Sequence, residues 1–302
     1  MIHVLVGTRD GLLDLDVDGT RRQTHHAGRD VTAVAPEGSE LWAVIDGVEV
    51  WNTAGVDHWF HAASTDGLQA TCLADTRAGV LVGTSEAHLM RLGGEGLEPV
   101  ATFEEVEQRS DWYTPWGGPP DTRTVSEDAD AVYVNVHVGG ILRSRDRGET
   151  WQPTIDVDSD VHRVLARPGA VYAACGYGLA LSHDRGDSWS VLTAALHANY
   201  CRGVAVCGDS LLVSASTGPG GRSSALYRGN LNGAALERCR DGLPEWFDRN
   251  IDSLCLDALP DGDVAAFGMP DGRVFVSIDQ GSTWREVASD LSPVRCVLVV
   301  VG

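Results

Sequence analysis

The chain has 302 residues, with 43 acids against 23 bases and a net charge of -20; every base is an arginine and lysine is absent. That balance excludes nonspecific binding to nucleic acid or anionic membrane, which needs a basic footprint, and the missing lysine excludes a P-loop. Apolar residues make up 43%, enough for a folded core without a disordered tract.

The opening run "MIHVLVGTRDG" alternates like a strand. It lacks the basic and apolar regions of a secretion signal, so none is expected. No apolar run approaches the roughly 20 residues needed to cross a bilayer as a helix. The seven cysteines (Cys72, Cys175, Cys201, Cys207, Cys239, Cys255 and Cys296) form no C-x-x-C pair and sit mostly in apolar runs. They read as small buried hydrophobes, and a cytoplasmic location is expected.

In chain order the sequence divides into units of four short strands separated by Gly- and Asp-rich turns. They span about 29–63, 69–103, 122–155, 162–193, 202–239 and 251–288. The two ends are half-units: 1–26 supplies three strands and 294–302 supplies the missing innermost one. A period of roughly 40–50 residues is that of propeller blades. The fold predicted is all-β: a seven-bladed β-propeller forming one domain over 1–302, closed by strands from both termini. Six blades is the alternative. No helix is predicted beyond a turn near "TFEEVEQRSDW".

One phrase recurs: "SRDRGETW" at Ser144–Trp151, "SHDRGDSW" at Ser182–Trp189 and "SIDQGSTW" at Ser277–Trp284. Each copy falls between the third and fourth strands of a unit. Aspartate accepts backbone N–H groups, glycine tolerates positive φ and Ser/Thr caps locally, so the phrase reads as a hairpin turn. The pattern resembles the Asp-box, or BNR repeat, of sialidases, sortilin-type domains and the photosystem II assembly factor family. The resemblance implies a structural role on the propeller rim, away from the ligand face. Asp146, Asp184 and Asp279 are therefore not expected to be catalytic.

Long loops need a reason, and here they gather at one end of the units: "EEVEQRSDWYTPWGGPPDTR", "LHANYCR", "STGPGGRSS" and "DGLPEWFDRNID". Five of the seven innermost strands open there with an arginine: Arg29, Arg123, Arg163, Arg202 and Arg295. Guanidinium groups bind carboxylates, phosphates or sulfates in bidentate fashion. The competing reading is ion pairing with the nearby Asp30, Asp121, Asp160 and Asp252. His137, His162, Tyr177, Tyr200 and Asp121 are the acid–base candidates, with Asn199, Asn250 and Asp252 as polar ligand contacts. Trp112, Tyr113 and Trp116 form an aromatic flap suited to stacking on a sugar ring or an apolar ligand, with plugging of the channel mouth the alternative; Trp246 and Phe247 are expected to join it. No cofactor is implied. A divalent metal at His137 and His162, with Asp160, is a weaker alternative, because the ligand spacing is not tight.

Two functions follow. The first is an arginine-lined pocket for an anionic, sugar-like molecule, with glycosidase- or lyase-type catalysis. Resemblance to sialidases implies an arginine cluster for a carboxylate, a carboxylate acid/base and a tyrosine nucleophile. Arg123, Arg163, Arg202, Asp121, Tyr177 and Tyr200 can fill those roles. However, the chain has no F/Y-R-I-P stretch, and sialidase propellers have six blades. In a lyase, His or Tyr would take a proton next to a carboxylate held by arginine. The second is a noncatalytic scaffold binding a protein partner, as resemblance to the assembly factor family implies.

Overall fold

A computed structural model describes residues 1–53 and 58–302; residues 54–57, inside the predicted second unit, lie outside the described residues. The strands form seven four-stranded sheets, a seven-bladed β-propeller. Six sheets take their strands in simple chain order; in the remaining one, Val294–Val301 lies beside Ile2–Thr8. Ile2 faces Val301 and the pairing runs to Thr8 opposite Val294, with one bulge after Gly7. The termini thus close one blade together, as the half-units predict. Among the described residues the one α-helix is Ala101–Glu104, followed by a 3-10 turn at Glu107–Asp111.

By contact density the chain forms two compact units. One comprises Met1–Thr32, Ala174–Leu179 and Val191–Gly302; the other comprises Ala33–Ala173 and Ala180–Ser190.

The first unit holds the first, sixth and seventh blades. Val4, Val6, Leu13 and Leu15 of the first pack with Val274 and Val276 of the seventh and with Val297 and Val299 of the closing strand. Four aromatic rings fill the space between the sixth and seventh: Phe267 stacks on Phe275 at 4.8 Å, and Phe247 and Trp284 approach Phe267 edge-on. Each such ring removes about 150–250 Å² from water. Gly242, at φ +78°, touches this cluster so closely that a Cβ would lie 1.7 Å from the Trp284 carbonyl. No other residue fits there.

The second unit holds the third and fourth blades with most of the second and fifth. In the fourth blade, Val132–Val136 and Gly140–Ser144 are buried at every position, whereas the outer Gln152–Pro153 is exposed. Strands covered on both faces need continuous apolar runs, and an outer strand does not. Leu81, Leu89, Phe103, Trp112, Val134, Leu142 and Trp151 form the core here.

The three recurring phrases fold alike. In the first, Ser144 Oγ donates to Asp146 Oδ1 and accepts from the Gly148 N–H, while the Thr150 N–H and Oγ1 donate to the two oxygens of Asp146. The turns at Asp184 and Asp279 repeat the pattern bond for bond. All three carboxyls are held below the usual carboxylate range, Asp184 down to about 2, where the donors are Ser188 and Ser182. The fourth residue of each turn is left-handed: Arg147, Arg185 and Gln280 have φ of 63°, 63° and 58°.

An arginine on the third strand of the preceding blade reaches the carbonyl of this fourth residue. Within the second unit Arg91 donates to Arg147 O and Arg143 to Arg185 O; within the first, Arg228 donates to Gln280 O. Each turn therefore latches one blade to the next.

Candidate functional site

The second unit brings His137 and His162 onto a single carboxylate. His137 Nε2 lies 2.9 Å from Asp160 Oδ1, and His162 Nε2 lies 3.3 Å from the same oxygen. The placement follows from the backbone. His137 ends the second strand of the fourth blade, where its N–H donates to the Asp121 carbonyl at 2.9 Å. A single antiparallel bridge ties it to Asp160. His162 lies in the first strand of the fifth blade, Val161–Arg167, and is fully buried. The two imidazole rings are 5.4 Å apart.

Burial pushes the Asp160 carboxyl up, but the His137 hydrogen bond and the nearby His162, His137 and Arg123 outweigh it and hold it below the usual range. Asp160 is thus an anion at neutral pH, shared by the two imidazoles. Arg123 adds a second element. Its Nη1 is buried and has no hydrogen-bond partner among the described residues. A buried charged donor without an acceptor is costly, and an anionic ligand would satisfy it.

The aromatic flap divides. Trp112 is buried in the core, 5.6 Å from Phe103 and beneath the Arg109 guanidinium. Trp116 is 68% exposed, with its ring 5.1 Å from that of His137. Tyr113 is also exposed, and its N–H donates to the Val138 carbonyl, which fixes the flap to the turn after His137. Val138 is at φ +58°, an unusual conformation for a β-branched residue.

The first unit's candidates are arranged differently. Arg202 Nη1 donates to both oxygens of Asp252 at 2.8 Å, with its guanidinium 5.6 Å from the Tyr200 ring centre. Arg295 binds Asp30 in bidentate fashion at 3.1 and 2.9 Å. Asn250 is buried, its amide donating to the Gly218 and Pro219 carbonyls. Asn199 and Tyr177 are exposed, and Arg29 is half-buried. Arg163, in the second unit, is half-buried in the strand that carries His162.

A groove of about 1120 Å³ lies in the first unit, along the outer strands of the sixth blade and the Gln280 turn. His197 stacks on Tyr227 and lies 4.6 Å from Trp246, over which Arg238 sits at 4.2 Å. Trp246 is the one signal of this groove in the sequence. Its neighbour Phe247 is a core residue instead.

No family model matches the chain, and no curated protein is similar to it in sequence. Solved structures do share its fold. It is similar to YCF48 bound to D1 peptide at 14% identity and a TM-score of 0.57, covering 94% of this chain and 85% of that one. Similarity to YCF48 from Cyanidioschyzon merolae is 14% identity and a TM-score of 0.60, covering 85% and 84%. A GH74 xyloglucanase from Xanthomonas campestris matches at 13% identity and a TM-score of 0.61; 95% of this chain aligns with 46% of that enzyme. The neighbours thus include both YCF48 and a GH74 xyloglucanase, and the likeness shows the propeller fold.

Proposed function

We propose that the second unit binds an anionic, sugar-like small molecule, with its acid group on Arg123 and its ring against Trp116. The observation that carries this reading is the buried Arg123 Nη1 without a protein acceptor, near two histidines that share Asp160. A guanidinium supplies bidentate recognition of a carboxylate, and an exposed indole supplies a stacking face. Once a carboxylate is held, a histidine can take the proton from the adjacent carbon, and the released electron pair expels a substituent one carbon further on. Elimination of this kind uses the two histidines that share Asp160 as its base and needs no tyrosine nucleophile.

Thermal-shift measurements on wild type and Arg123→Ala, with uronates and the matching neutral sugars, test the reading. The expected result is stabilisation by the acid alone, lost in the variant. Equal shifts in both proteins would refute it. The second reading is noncatalytic binding of a protein partner. It is favoured by the likeness to YCF48 bound to D1 peptide and by the open, aromatic-lined groove at Trp246. A peptide that binds the Trp246→Ala variant more weakly than wild type, with no response to uronates, would support it.

A further inference from the structure

We propose that His137, Asp160 and His162 form a site for one divalent transition-metal ion, with zinc the best match to their donors. The inference stands on the geometry of these three side chains and does not depend on the anion reading; with the ion bound, both Nε2 atoms are ligands and neither is the base. Two imidazole nitrogens and a carboxylate oxygen meet here, all within 4.8 Å of one another. Two imidazoles with one carboxylate are a donor set that zinc and its first-row neighbours accept, whereas calcium and magnesium prefer oxygen alone.

The distances fit. Donors about 2.0–2.1 Å from zinc at tetrahedral angles stand about 3.3 Å from each other. The nitrogen–oxygen separations are 2.9 and 3.3 Å. The third separation, between the two imidazole nitrogens, is at most 4.8 Å, so rotation of the His137 and Asp160 side chains would bring all three donors onto one ion. The main chain holds two of the ligands in place, through the His137–Asp160 bridge and the His137 N–H to Asp121 bond. His162 is buried, while the Asp160 side chain is 30% exposed. Three protein ligands with one accessible side leave a coordination position for water or a ligand, the arrangement of catalytic rather than structural zinc sites. Without a metal, the same trio is a carboxylate oxygen 2.9 and 3.3 Å from two imidazole nitrogens, and the experiment separates these two states.

The full-length chain is stripped with a chelator and titrated calorimetrically with zinc, then with cobalt(II) while the visible spectrum is followed. The expected result is one tight equivalent of zinc and the absorption bands of a low-coordinate cobalt site. Asp160→Asn keeps the side-chain shape and an acceptor for both histidines, so the melting temperature should hold. Its zinc affinity should fall at least ~100-fold, since even outer-shell partners are worth about 10–100-fold. His137→Gln should behave in the same way. Absence of a tight equivalent in wild type would overturn the proposal, as would binding unchanged in Asp160→Asn and His137→Gln. Failure of the anion reading would appear differently, as intact zinc binding with no response to uronates.

Discussion

Arg123 and Arg143 belong to the same blade, and the two are used in opposite ways. Arg143, on the third strand, is 6% exposed, and its Nη1 donates to the Arg185 carbonyl and to Asp187. Its partners are fixed by the turn it latches. Arg123, on the first strand, has a buried Nη1 with no acceptor among the described residues. In the first unit the terminal nitrogens of Arg202 and Arg295, which also open inner strands, each reach a carboxylate. An arginine at the start of an inner strand is therefore not in itself a binding group. What marks Arg123 is that its unmatched atom is a terminal nitrogen beside a shared carboxylate, whereas in Arg143 and Arg202 the unmatched atom is Nε.

The sharpest way to break the comparison is to truncate both arginines. Arg123→Ala should cost about 100-fold in affinity for an acidic sugar, because charged hydrogen bonds are worth about 1.5–3 kcal/mol each. Its melting temperature should stay level or rise, since an unsatisfied donor is removed. Arg143→Ala should leave that affinity unchanged but lose about 2 kcal/mol of stability in urea, having stripped a buried latch of its donor. Ser182→Ala should cost about 1 kcal/mol, because the Gly186 N–H loses its acceptor while the rest of the turn persists.

The smallest effect concerns acid. The Asp184 carboxyl titrates near 2 in the folded chain against an ordinary value of 3.8. A lowered carboxylate stabilises the fold above its unfolded value, and that contribution is lost as pH falls through the folded one. Stability should therefore decline between about pH 4 and pH 2, and Asp184→Asn should decline less steeply over that window when followed by tryptophan fluorescence.

Much of the fold was legible, and the reason is repetition. Short strands, Gly-Asp turns and three copies of one phrase carry the blade count, and two half-units imply closure by both termini. The latch was not legible. Arg91, Arg143 and Arg228 stand in "LMRLG", "ILRSR" and "LYRGN", where each reads as the end of a strand; their partners lie in the next blade, beyond any local pattern. At the candidate site, His137 and His162 stand out in the sequence as polar residues beside apolar strands. Their convergence on Asp160 depends on a backbone bridge between two blades. Trp112 and Trp116 look alike within "DWYTPWGG", yet packing against Phe103 takes one into the core and leaves the other exposed. Such choices belong to tertiary packing, which a single sequence does not display.

The most direct test of the central claim is a crystal structure of the chain soaked with a uronate. The account predicts a carboxylate oxygen about 2.7–2.9 Å from Arg123 Nη1, the distance of a charge-assisted bond, with the sugar ring against Trp116. An Arg123 side chain turned onto a protein acceptor, with the uronate absent or bound elsewhere, would contradict it.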